Sequence, residues 1–281
     1  MPELPEVETI KKGLTKYLVG HKIEDVEVRR AKVFSGEVKD ILGAKIVGIR
    51  RFAKVIAIDL ENNYSLLAHV KLTGQFIYRG PNLKNPPVLS NKVGTLPGKH
   101  THVIFKLDRG GTLYFNDVRV FGWIKVVKTK EVLNFDFIKK LGPEPFDGLT
   151  EEKFKEIVAK SKTMIKILLM DQTKIGGVGN IYANDALWLA QVNPQRKADS
   201  LTIPEQERLY EAILTVLKKG IKLGGASEVA FVAPSGEEGE YQKHFLVYGQ
   251  AGKVCPRCKK EKIKRIALGG RGTFFCSYCQ K

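Results

Sequence analysis

All four cysteines fall within the last 27 residues: Cys255-Pro-Arg-Cys258, a gap of 17 residues, then Cys276-Ser-Tyr-Cys279. Two thiolates three residues apart on a tight turn can share a tetrahedral ion with a matching pair, and this spacing lies inside the range of zinc sites. Two disulfides are the alternative, but nothing in the chain points to secretion, so the pattern is read as one zinc ion. A site closed by four thiolates leaves no open position, which makes the ion structural rather than catalytic. Its role would be to hold a hairpin over residues 261–275 that could not bury a core alone. That hairpin carries Lys262, Lys264, Arg265 and Arg271. It is either a nucleic-acid contact or a solvated positive tail.

The charge has the same geography. The 281 residues hold 47 Lys and Arg against 30 Asp and Glu, a net charge of +17. Residues 1–127 are net +9, residues 128–249 are neutral, and residues 250–281 are net +8. Charge concentrated in two segments suggests two surfaces for a polyanion, nucleic acid before an anionic membrane. The length suggests about two domains. The start, MPELPEVETI, carries three Glu and no apolar stretch, so it is no signal peptide. No apolar run approaches the roughly 20 residues of a membrane helix. The expected location is the cytoplasm.

Hydrophobic periodicity divides the chain. Pro5, with Glu6 and Glu8 behind it, suits a helix start, and Val7, Ile10, Leu14, Tyr17 and Leu18 recur at helical spacing up to Gly20. Short β-branched and aromatic runs follow at 45–51, 54–60, 64–70, 103–107, 112–115 and 121–127, a series that predicts a β-sandwich. Residues 80–99, with four prolines, read as a long loop. Residues 128–149 read as a linker with one helical turn. Helices are predicted from Thr150, over 163–172, over 180–190, and from Pro204 with Gly220 as the stop. A Gly-rich stretch from 224 to 239 precedes the cysteines. The fold class is α+β, with expected domains 1–127, 128–149 as linker, 150–225 and 226–281.

The second residue is Pro2, and a small residue there permits removal of Met1. The chain would then begin with a secondary amine. An α-amine has an ordinary pKa near 8, so a useful fraction is unprotonated at neutral pH. Such an amine can attack an aldehyde carbon and give an iminium, an electron sink. Alone, Pro2 is better explained as protection from proteolysis.

Five segments change the weighing. Pro2-Glu-Leu-Pro-Glu-Val-Glu-Thr9, Phe52-Ala-Lys54-Val55, Lys99-His100-Thr-His102-Val103, Ile165-Lys166 to Asp171-Gln172 running on through Gly177-Val-Gly179-Asn180, and Arg271-Gly-Thr-Phe-Phe-Cys276-x-x-Cys279 stand in order along nearly the whole chain. Together they resemble the formamidopyrimidine-DNA glycosylase family. The resemblance implies a β-sandwich with the N-terminal helix, a helix–two-turn–helix domain in 150–225, and a lesion-recognition loop and zinc finger in 226–281. It implies base excision repair: removal of oxidised purines (8-oxoguanine, formamidopyrimidines) and cleavage of the abasic strand by β,δ-elimination. The implied partner is double-stranded DNA with oxidised bases or abasic sites, met in the nucleoid by a monomer.

Residue by residue, the resemblance makes Pro2 the nucleophile that forms the Schiff base. Glu3 becomes the acid/base that opens the sugar, Lys54 the proton donor in β-elimination, and Arg271 the aid to δ-elimination. It assigns His100, Arg119, Lys162, Lys166 and Asn180 to DNA contacts. Leu72, Arg119 and Phe121 take the positions that fill the gap left by an extruded base. The zinc ligands are Cys255, Cys258, Cys276 and Cys279. Leu72 replaces the family's Met, Val120 replaces an Arg, and Ala226-Ser-Glu-Val-Ala230 replaces a Thr-Thr-Leu-Arg-Asp-like run. Three rival readings are an endonuclease VIII-like enzyme for oxidised pyrimidines, a non-catalytic lesion-binding protein, and a ribosome-associated zinc protein.

Overall fold

The computed structural model describes residues 1–84 and 86–281. The chain forms two compact units: Met1–Lys139 with Ile221–Gln242, and Lys140–Gly220 with Lys243–Lys281. The segment expected at 226–281 is therefore divided, with 226–242 in the first unit and the cysteines in the second.

The first unit opens with helix α1 (Leu4–Leu18), capped by Glu3. Leu4, Val7, Leu14 and Leu18 are fully buried. Each is worth roughly 1.5–3 kcal/mol relative to exposure. Among the described residues, nine strands make two sheets. One has the order β1 (Ile23–Val28), β7 (Thr101–Leu107), β8 (Thr112–Asp117), β6 (Gly74–Arg79). The other runs β2 (Phe34–Ser35), β9 (Trp123–Lys128), β5 (Tyr64–His69), β4 (Val55–Leu60), β3 (Ile46–Phe52). Residues of both sheets and of α1 share one core, with Ile10, Ile58, Phe76, Val103 and Phe115 nearly inaccessible. This is the expected sandwich. β1, β2 and β6 were not expected, and the last predicted strand begins at Trp123, which leaves Phe121 in a loop.

Residues 128–149 are more ordered than a linker. A 3₁₀ stretch (Thr129–Asn134) and the short helix α2 (Asp136–Lys139) place Phe135 and Phe137 against Trp123 and a small cluster of Val55, Ala57 and Leu67.

The second unit holds α3 (Glu151–Ala159), α4 (Ile165–Met170), α5 (Asn180–Leu189) and all but the last two residues of α6 (Ile203–Lys222). Thr150 caps α3 by accepting the Lys153 N–H. Gly220 does not end α6, which runs on to Lys222. A Cβ there would lie 2.5 Å from the Tyr182 ring, so glycine serves close packing and not termination. β10 (Lys264–Leu268) and β11 (Arg271–Phe275) form the expected terminal hairpin.

Candidate active site and nucleic-acid interface

The N-terminus is fixed by its own helix. Pro2 and Glu3 are buried, while Met1 is exposed. The Glu6 carboxylate accepts the Glu3 N–H at 2.7 Å with one oxygen and the Ala226 N–H at 2.8 Å with the other. An acid three residues after the cap suits the positive end of the helix. Here it also ties the head of α1 to the start of the 226–242 segment. Gly225 makes this possible: its φ is +82°, and a Cβ would sit 2.8 Å from the Glu6 Cγ.

Lys54 lies in the turn between β3 and β4, after Ala53 at φ +50°, and not inside a strand as its apolar neighbours suggested. It is 4% exposed. Arg51 secures that turn by donating to Glu8 of α1 at 2.8 Å and to the Ala53 carbonyl at 3.1 Å. A chain of bonds thus joins the first turns of α1 to the turn that carries Lys54. Burial pushes the Glu8 carboxyl up, but the Arg51 guanidinium and Lys11 overcome this and hold it below its usual value.

His69 ends β5 beside these groups. Burial drives its pKa down to about 3, helped by the positive charges of Lys71 and Lys54. It is therefore neutral. Its Nδ1 accepts the Lys71 N–H at 2.9 Å, which leaves the proton on Nε2. Phe137 meets its ring edge-on at 5.4 Å. His69 sets the course of the chain into Lys71 and Leu72.

Leu72 and the loop after β8 carry the residues expected to fill a vacated base position. Asp117 is fully buried and builds that loop. Its carboxylate accepts the Thr73 hydroxyl, the Arg119 N–H at 3.2 Å and the Gly122 N–H at 2.7 Å. Held this way, Phe121 stands 50% exposed with the Arg119 guanidinium 4.9 Å above its ring. Val120 between them adopts φ +56°, rare for a β-branched residue. The His100 carbonyl accepts the Asp117 N–H, and His100 borders a cavity of about 320 Å³ with Lys99, Thr101 and Asn116.

In the second unit, Lys162 is exposed and Asn180 is the half-buried first residue of α5. Gln172 knits the turns before it, donating to Met170 and Val178 carbonyls and accepting the Gly177 N–H. Free N–H groups at a helix start and an exposed Lys suit phosphate. Lys166 differs from expectation. It is 1% exposed, and its ammonium donates to the Gly272 carbonyl at 3.0 Å and the Thr273 hydroxyl at 2.7 Å. In this structure it supports the hairpin, and it also borders the cavity beside Arg271. The neighbouring Arg271 is exposed and lines, with Lys166 and Asp171, a cavity of about 330 Å³.

The four cysteine Sγ atoms lie within 4.8 Å of one another. Cys255 and Cys279 are 3.8 Å apart, and Cys258 and Cys276 are 3.7 Å apart. Tetrahedral Zn–S bonds of about 2.3 Å require S···S separations of roughly 3.8 Å. The donor set fits one structural zinc ion. Sequence reasoning missed the framing residue Thr73, whose hydroxyl donates to Asp117. Glu6 was legible as a first-turn acid, but not its second bond.

A sandwich headed by helix α1 with Pro2 buried before it, a glycine-rich turn leading into α5 and a four-cysteine zinc site on a basic hairpin fit a zinc-containing enzyme of DNA repair. Family models for the formamidopyrimidine-DNA glycosylase N-terminal domain, its H2TH domain and the zinc finger found in FPG and IleRS match residues 1–124, 141–231 and 252–281. The chain is 38% identical to formamidopyrimidine-DNA glycosylase of Desulfitobacterium hafniense, with both chains fully covered. It is 41% identical to that of Pelotomaculum thermopropionicum, covering all of this chain and 99% of the relative. The Lactococcus lactis Fpg solved with abasic-site DNA superposes with a TM-score of 0.87 at 34% identity over 99% of each chain. The same enzyme with N7-benzyl-Fapy-dG DNA gives 0.86 at 35%, covering both chains completely. The chain belongs to the formamidopyrimidine-DNA glycosylase family, the DNA glycosylases of base excision repair. Among the described residues no helix is long and apolar enough to cross a membrane.

Proposed function

We propose that this chain excises oxidised purines from duplex DNA and then cuts the strand at the abasic site, working in the cytoplasm on the nucleoid. The observation that carries the reading is the fixing of Pro2 and Glu3 at the head of α1, tied through Glu8 and Arg51 to the turn bearing Lys54. Non-catalytic binding would need none of these three residues.

With Met1 removed, the Pro2 nitrogen forms a bond to C1′ as the C1′–base bond breaks and the base leaves with a proton. Glu3 protonates the ring oxygen as the sugar opens, leaving an iminium. The iminium acidifies the C2′ hydrogen. Its loss expels the 3′ phosphate, and a second elimination expels the 5′ phosphate. Lys54 supplies the proton for the first elimination, and Arg271 assists the second. His100, Arg119, Lys162 and Asn180 hold the strand. Lys166 acts through the hairpin that bears Arg271. Leu72, Arg119 and Phe121 occupy the gap when the damaged base leaves the stack, a step that costs a few kcal/mol. The 226–242 segment cups that base. The proposed domain limits follow the two units, Met1–Lys139 with Ile221–Gln242 and Lys140–Gly220 with Lys243–Lys281, and the zinc stabilises the terminal hairpin.

Borohydride reduction tests the chemistry. Mature protein should be trapped covalently on damaged duplex, and Pro2→Gly or retained Met1 should weaken trapping sharply. Full trapping by an N-terminally blocked chain would overturn the Pro2 assignment. The Lactococcus lactis enzyme has also been solved with DNA containing an oxidised pyrimidine. An incision panel of 8-oxoguanine, formamidopyrimidine and oxidised-pyrimidine duplexes therefore sets the lesion order, with the purine lesions expected fastest.

A further inference from the structure

Residues 223–240 contain no helix or strand and include Gly224, Gly225, Gly236 and Gly239. A segment of this composition loses much conformational entropy when it closes on a ligand. Yet it is fixed at many points within its own unit. Phe231 is buried in the main core, and Val232 packs with Ile77 and Val93. The Pro234 carbonyl accepts the Tyr78 N–H, and the Ser235 carbonyl accepts from Arg79. Ala226 is held by Glu6.

The tip, Glu228 and Val229, is exposed, and it is bracketed. On one side the Lys92 ammonium donates to the Ser227 carbonyl at 2.5 Å and to the Glu238 carboxylate at 2.6 Å. Ser90 donates to the other Glu238 oxygen at 2.5 Å. On the far side the Gln75 amide donates to both the Ala230 and Lys92 carbonyls. Lys92 thus joins both ends of the 227–238 stretch from outside it, beside a local closure in which the Ser227 hydroxyl accepts the Gly239 N–H and the Gln242 amide bridges the Ser227 N–H and the Gly239 carbonyl. Lys92 comes from the proline-rich 80–99 loop, about 140 residues away in sequence. An isolated half-exposed ion pair contributes little. Lys92 differs because its ammonium also fixes a main-chain carbonyl next to the tip, and a networked charge-assisted bond is stronger than a neutral one.

We propose that Lys92 is a positioning residue that latches the 226–242 segment through Glu238 and Ser227, presetting the tip for the extruded damaged base. This rests on the reading of that segment as the base cup. The latch lowers the entropy lost on capture, so it acts only when a base is present. Cleavage of a preformed abasic site, which presents no base, does not use it.

The experiment compares single-turnover rates on an 8-oxoguanine or formamidopyrimidine duplex with those on a preformed abasic-site duplex. Lys92→Met should slow base excision about tenfold, the effect of roughly one charge-assisted bond, and leave abasic-site cleavage unchanged. Lys92→Arg should stay near wild type, and Lys92→Glu with Glu238→Lys should recover little of the loss, because a carboxylate at 92 cannot donate to the Ser227 carbonyl. Ser90→Ala, milder in case Lys92→Met folds poorly, should give a smaller loss on the same substrate only. Equal slowing on both duplexes, or on neither, would overturn the latch. A wild type that cuts abasic sites but excises no damaged base would instead overturn the base-cup reading beneath it.

Discussion

At the scale of single residues, the site depends on groups that touch no DNA in this scheme. Gly225 must stay a glycine: alanine would be strained at φ +82° and would press on Glu6. Gly225→Ala should cost more than about 1 kcal/mol, lower Tm by a few degrees in a chain of this size, and slow base excision more than abasic-site cleavage. Asp117 carries the loop of Arg119 and Phe121 on three bonds. Asp117→Ala leaves the buried Gly122 N–H without its acceptor, a loss of about 1–3 kcal/mol. Calorimetry should show it as a Tm drop larger than that of Phe121→Ala, because Phe121 is half exposed. None of these framing roles was legible in the sequence. Asp117 lies two residues before Arg119, but nothing along the chain announces what a buried carboxylate accepts. Lys92 and Glu238 lie 146 positions apart, and only the fold brings them together.

At the scale of elements, periodicity served well where one face is buried. α1 and most of the sandwich strands were legible because their apolar residues alternate or recur at helical spacing. β6 was not, since it opens on Gly74 and ends at Gly80-Pro81, both of which read as turn. Gly220 read as a helix stop for the same reason, although the structure uses it to admit the Tyr182 ring. The zinc hairpin was legible from cysteine spacing alone. Its stability should come largely from the ion. Chelation, or Cys276→Ala, should release about one zinc per chain and abolish the β10–β11 amide signals in NMR. The sandwich amides of β3 to β5, in the other unit, should persist. Loss of both sets together would contradict a zinc role confined to the hairpin. α6 has its own anchor. Arg196 hydrogen bonds bring the Glu205 pKa down to about 2, with further help from Thr202 against the opposing effect of burial. Its folded pKa is below the unfolded value near 4.3. The stabilisation is thus complete above about pH 4.3 and lost as pH falls toward 2. Arg196→Met should remove that part of the acid sensitivity in a pH series of Tm.

At the scale of the molecule, the net charge of +17 is divided as +9 and +8 around a neutral stretch. The neutrality of that stretch is partly internal pairing: Lys155 is matched to Glu151 and Glu207, and Arg196 to Glu205. Lys264 and Arg265 on the zinc hairpin face solvent instead. Phosphate contacts by unpaired cations release counterions, so affinity for lesion duplex should fall steeply with salt. A log–log slope of about −5 corresponds to on the order of six neutralised phosphates. The local test separates paired from unpaired charge. Lys264→Gln with Arg265→Gln should make the slope shallower by roughly two, since each removed phosphate contact takes about 0.9 from it. Lys155→Gln should leave the slope unchanged, because that ammonium already has two carboxylate partners. A slope that responded equally to both substitutions would mean that bulk charge, and not placed charge, draws this chain to DNA.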